Sequence, residues 1–114
     1  MRLTDKQFGQ MFADANSIND RDAFMYDWAL SDIWGDAPET DIPADRIDAI
    51  THIWDLAHTS INDIITTSGL SITNFAATYA IPYSTVQHWR SGVNTCPVYL
   101  RLLLIRSIGC YKFK

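Results

Sequence analysis

Between Leu70 and Gly92 the spacing of apolar residues leaves little freedom of architecture. Ser71 is placed to cap a helix that carries Phe75, Ala76 and Tyr79 along one side. Ala80-Ile81-Pro82 follows as a tight turn, and Pro82 suits a helix start, where a missing N–H would be unpaired anyway. The next helix is predicted from about Tyr83 to Arg90, with Val86 and Trp89 inward and Gly92 as its stop. Two short helices joined through so few residues must cross steeply. The crossing needs a small residue, which Ala76 supplies, while Ile81 plugs the turn and Val86 anchors the second helix. Tyr83, Ser84, Gln87 and His88 are then left facing out, and all four are hydrogen-bonding types suited to base edges and phosphates.

The flanks complete a small bundle. Thr59 or Ser60 is expected to cap a helix from Ile61 to Thr67, with Ile61, Ile64 and Ile65 inward and Gly69 as its end. Beyond Pro97 a further helix is expected, with Val98, Leu102, Leu103, Ile105 and Ile108 as its apolar residues. The stretch from Leu70 to Gly92 resembles, without a gap, the helix-turn-helix of phage repressors of the Cro/XRE type. The likeness covers about residues 60–109 and is nearest to small repressors of phages and mobile elements. It implies a scaffold helix at about 60–68, a support helix at 71–79 and a DNA-recognition helix at 83–90. The base-reading positions it implies are Tyr83, Ser84, Gln87 and His88; Thr85, Arg90 and Arg101 complete the candidate DNA contacts, the two arginines towards phosphate. Two positions depart from the family pattern: Ala80 stands at the turn glycine, and Ile72 replaces the polar residue that opens the support helix.

The N-terminal half also reads as helical. Thr4 and Gln7 form a possible capping box ahead of Phe8, Met11 and Phe12, so a helix is expected over about Asp5 to Ala15. After a break at residues 16–20, a helix of about three turns should hold Ala23, Phe24, Trp28, Leu30, Ile33 and Trp34. Gly35 to Pro43, with two prolines and three acids, reads as a loop. A strong helix then begins at Pro43-Ala44-Asp45, with Ile47, Ile50, Ile53, Trp54 and Ala57 as one stripe. His52, Asp55 and His58 recur every three residues, a step that walks ligands around a helix and leaves surface polar residues as the better reading than a metal site. Trp28, Trp34 and Trp54, like Trp89, are expected in the core.

Charge divides the chain. Residues 1–60 hold twelve Asp/Glu and four Lys/Arg, a balance of 4 − 12 = −8. Residues 61–114 hold one acid, Asp63, against Arg90, Arg101, Arg106, Lys112 and Lys114, a balance of 5 − 1 = +4. The sum is the net −4 of the whole chain. Such asymmetry fits a polyanion-facing half and an acidic appendage, or two ordinary solvated surfaces. Cys96 and Cys110 lie near opposite ends of the last helix, about 20 Å apart at helical rise, so free thiols are expected.

The expectation from sequence is therefore an all-α protein of about seven short helices. Residues 1–58 form an acidic helical region and residues 59–114 a repressor-type helix-turn-helix domain. No phosphate loop or nucleophile–base pair argues for an enzyme, and no cofactor or metal is expected. No apolar run is long enough to span a bilayer and no signal-peptide pattern opens the chain, which makes a cytoplasmic protein the expectation. The expected partner is double-stranded DNA, bound by a homodimer that acts as a transcriptional regulator. The alternative is a phage-type inhibitor that keeps the fold and engages a host protein, in the manner of anti-CRISPR proteins, through its acidic N-terminal half.

Overall fold

A computed structural model of the chain describes residues 3–34 and 44–113, and they are all-helical. The expected loop at 35–43, with Pro43 at the start of its helix, lies outside the described residues. The chain divides into two compact units, Met1–His58 and Thr59–Lys114.

In the first unit, α1 spans Asp5–Ser17, α2 Arg21–Ala29 and α3 Ala44–Ala57. The Thr4 hydroxyl accepts from the Gln7 amide at 3.1 Å and the Gln7 side chain accepts from the Thr4 amide at 2.9 Å. Two amides that no helical carbonyl can reach are thereby satisfied, and α1 starts where the capping box places it. Met11, Phe12 and Ala15 bury that helix against α2 and α3. Asp20 caps α2 by accepting from the Ala23 amide.

The three-turn helix expected through Trp34 ends instead at Ala29, and a single 3-10 turn, Asp32–Trp34, follows. The reason is visible in the partners of its last carbonyls. The Trp34 indole N–H donates to the Trp28 carbonyl at 2.8 Å, and Arg46 Nη1 donates to the Ala29 carbonyl at 3.4 Å. A bent chain brings the indole back onto carbonyls that an uninterrupted helix would have used internally. Arg46 also lies over the Trp34 ring, 4.9 Å from its centroid.

Arg46 overturns one expectation about α3. The buried residues on that helix are Arg46, Ile50, Ile53, Trp54, Leu56 and Ala57, so Arg46 holds the seat expected for Ile47, which is exposed. Residue 46 stands one full turn before Ile50, whereas Ile47 is rotated by about 100° from it. Phe24 packs at 5.2 Å on Trp54, and Trp34 is buried as expected. Trp28 is only half-buried, because its indole N–H reaches the Asp14 carboxylate at 2.7 Å. Ala23 and Leu30 are exposed.

In the second unit, α4 spans Ile61–Ser68, α5 Ile72–Thr78, α6 Tyr83–Ser91 and α7 Val98–Ile108, with a 3-10 turn at Cys110–Lys112. Ser60 caps α4 by accepting from the Asp63 amide, and Ser71 caps α5 by accepting from the Asn74 amide. α4 packs against α5, α6 and α7, and α5 packs against α6. Ile61, Ile64, Ile65, Phe75, Ala76, Val86, Leu104 and Ile105 are the buried residues that join them.

The connection from α5 to α6 is closed by two backbone bonds. The Ile81 amide donates to the Ala76 carbonyl at 2.9 Å and the Ala80 amide to the Ala77 carbonyl at 3.3 Å. This is the Schellman pattern, which needs a left-handed residue between helix and turn. That residue is Ala80, at φ +54°, the only non-glycine with positive φ among the described residues.

On α7 the buried series differs from the expected one. Leu104 and Ile105 are buried, Arg101 and Ile108 are half-buried on the same stripe, and Val98 and Leu103 are exposed. Tyr79 is half-buried rather than core: its ring packs on Phe75 at 5.0 Å while its hydroxyl meets Ser107 at 3.2 Å. Trp89 is likewise half-buried, so Val86 alone anchors α6 in the core.

Candidate nucleic-acid interface

α6 begins at Tyr83 without a side-chain cap, because Pro82 precedes it, and it ends at Gly92 with φ +83°. Val86 is fully buried, which turns the opposite side of the helix outward. Tyr83, Ser84, His88 and Arg90 are exposed, and Thr85 and Gln87 are half-buried. Tyr83 and Gln87 stand one helical turn apart, and Arg90 follows three residues on, so the three share one row.

They are joined by hydrogen bonds along that row. Arg90 Nη1 donates to Gln87 Oε1 at 2.9 Å, and Gln87 Nε2 donates to the Tyr83 hydroxyl oxygen at 2.7 Å. Arg90 Nε donates to Asn62 Oδ1 at 3.0 Å, which ties the end of α6 to the start of α4. The donors all run one way, from guanidinium to amide to phenol. The Tyr83 O–H, having accepted, is left as the donor at the far end. Ser84 and His88, also one turn apart, form a second exposed row.

Chemically, this surface offers donors. A charged guanidinium, an amide N–H and a phenol O–H lie in line on one helix, with a serine and an imidazole beside them. No carboxylate lies on α6, and the single acid of the unit, Asp63, follows Asn62 in sequence. An arrangement of this kind fits acceptor-rich ligands, such as phosphate oxygens and the purine edges of a major groove.

The chain matches no protein-family model, no curated protein and no solved structure. The geometry of the site therefore carries the functional argument alone.

The structure brings together Tyr83, Ser84, Thr85, Gln87, His88 and Arg90, all on α6. Arg101 stands apart from them. It is half-buried on the inner stripe of α7, and its Nη1 donates to the Thr59 carbonyl at 3.3 Å. Burial lowers its guanidinium below the ordinary arginine value. The stem that sequence places at a phosphate is instead spent on packing, with its head on the backbone ahead of α4.

Asn62 is the participant that sequence reasoning missed. It precedes Arg90 by 28 residues, and nothing local marks it beyond an exposed polar position in the first turn of α4. Cys96 and Cys110 are free thiols, as expected. Burial pushes Cys96 up to about 11, with Arg101 drawing it the other way, so the thiol keeps its proton at neutral pH. Among the described residues no three His, Cys, Asp or Glu side chains gather as a metal site. None of the described helices is long and apolar enough to cross a membrane.

Proposed function

We propose that residues 59–114 bind double-stranded DNA in the manner of the phage repressor helix-turn-helix, with α6 in the major groove. On this reading the protein is a non-enzymatic transcriptional regulator of a phage or mobile element, acting as a homodimer. The observation that carries it is the row Tyr83–Gln87–Arg90, exposed at both ends and half-buried at Gln87, a continuous line of donors on a helix without acids. The Schellman closure at Ala80 supports it as well, because it turns the chain into α6 within four residues, Tyr79 to Pro82. Gln87 then meets a base edge from a fixed orientation, Tyr83 and Ser84 meet the backbone at the start of the helix, and Arg90 holds a phosphate.

The test is fluorescence anisotropy with random-sequence duplex DNA across a salt series. A dimer in which Arg90 neutralises one phosphate per chain should give a log–log slope of roughly −2. Arg90→Ala should flatten that slope by about two units for the dimer, one per chain, and weaken binding to every sequence. Absence of affinity for any duplex at low salt would sink the reading. The first unit, with its balance of −8, its exposed Tyr26 on α2 and its exposed Leu30 at the C-cap of that helix, would then become the surface to test against host proteins.

A further inference from the structure

Arg90 is the one arginine on α6, and it is not left to find its ligand alone. Two of its five N–H donors are already directed, Nε to Asn62 and Nη1 to Gln87. These bonds come from two different helices and fix both the position and the plane of the guanidinium, while Nη2 stays outside them. A long side chain held in this way loses less rotamer freedom when it meets an anion than one that sweeps through solvent.

We infer that Asn62 is a positioning residue for nucleic-acid binding: from α4 it pre-orders Arg90, and with Gln87 and Tyr83 it makes the α6 face act as one unit. The inference rests on the DNA-binding reading above and adds to it a residue outside the recognition helix. It also changes the part played by Gln87. With Oε1 holding Arg90 and Nε2 holding Tyr83, its amide has a set orientation, and one N–H of Nε2 remains for a base acceptor. Gln87 thus keeps one N–H and one lone pair of Oε1 for a base edge, both held in a set orientation by Tyr83 and Arg90.

The role differs from a merely structural one. Asn62 is exposed, lies in the first turn of α4 and fills no part of the core, so truncating it should leave the unfolding midpoint unchanged. Asn62→Ala should weaken duplex binding by about three- to tenfold, the range that one charge-assisted hydrogen bond supports. The salt slope should hold, because Arg90 keeps its charge and still meets a phosphate. Asn62→Asp keeps the acceptor and therefore keeps Arg90 in place. It adds a negative charge at each binding face, so the salt slope should fall while the ratio of specific to random duplex is retained.

The decisive measurement is a double-mutant cycle in the full chain, read by anisotropy at two salt concentrations. Once Arg90 is alanine, Asn62→Ala should cost nothing further. If the two losses are additive, or if Asn62→Ala leaves affinity at the parent value, Asn62 does not position Arg90 and the inference is overturned. If the parent chain binds no duplex at all, the DNA reading and this inference fall together. Additivity in a chain that binds overturns only the inference.

Discussion

Ala80 offers the sharpest test of how the second unit is built. At φ +54° it holds a left-handed conformation in which an L side chain crowds the following carbonyl, at a cost of about 1–2 kcal/mol relative to glycine. Replacing it by glycine removes that strain but adds freedom to the unfolded chain, which takes back about 0.4–1 kcal/mol. Ala80→Gly should therefore stabilise the unit by about 0.5–1 kcal/mol, or raise its melting temperature by roughly 2–6 °C for a domain of this size. Gly69 and Gly92 provide the mirror experiment. They sit at φ +75° and +83°, and a Cβ added to either would meet no atom within 4 Å. Their alanine variants thus carry the backbone strain alone and should destabilise by about the same 0.5–1 kcal/mol. Calorimetry and urea melts of the three variants would measure this. If Ala80→Gly destabilises while Gly69→Ala and Gly92→Ala do too, residue 80 is not left-handed and the turn between α5 and α6 is not closed by the Schellman pattern.

Phe75→Ala should cost about 3–5 kcal/mol in urea melts, because Phe75 is fully buried, and half-buried Trp89→Ala should cost less. Arg101→Met should lower stability by about 1 kcal/mol through loss of the bond to the Thr59 carbonyl, yet leave the salt slope of DNA binding unchanged. Cys96 should resist thiol reagents in the native chain at neutral pH and label only on unfolding. Because its folded value of about 11 exceeds the ordinary 9.0, the stability it contributes is whole below pH 9 and declines as pH rises towards 11, which a pH series of melts would show.

Local chemistry was the legible part of this fold. Thr4 with Gln7, Ser60, Ser71 and Gly69 each act within three or four residues of themselves, and the helix boundaries they mark are those observed. What failed was the choice between adjacent residues on one helix. Arg46 over Ile47 and Leu104 over Leu103 were decided by partners far along the chain, the Ala29 carbonyl and the Trp34 ring in the first case. Hydropathy favoured Ile47, but an arginine with a long apolar stem and a carbonyl to reach is also a good core residue. The same limit applies to the candidate site. Tyr83, Gln87 and Arg90 share a row by helical spacing alone, whereas Asn62 reaches them only because α4 packs on α6. Arg101 lies half-buried rather than at the surface because the inner stripe of α7 runs through Leu104 and Ile105, with Leu103 exposed.

Setting Arg101 aside changes what the binding reading demands. Of the bases in residues 59–114, Arg90 is the one on the donor face, and each phosphate held contributes only about 0.9 to the salt slope. On the proposed reading, a DNA-binding unit with so little charge would gain little of its affinity from counterion release. The neutral donors must then carry a larger share, and exposed neutral hydrogen bonds contribute little unless they are formed without loss of side-chain freedom. A row in which Arg90, Gln87 and Tyr83 already restrain one another meets that condition before any ligand arrives. In the proposed homodimer, two subunits on half-sites about 34 Å apart would present the row twice. On the proposed DNA-binding reading, sparse charge and a pre-ordered face belong together: the low charge limits non-specific affinity and the restrained donors favour discrimination between sites.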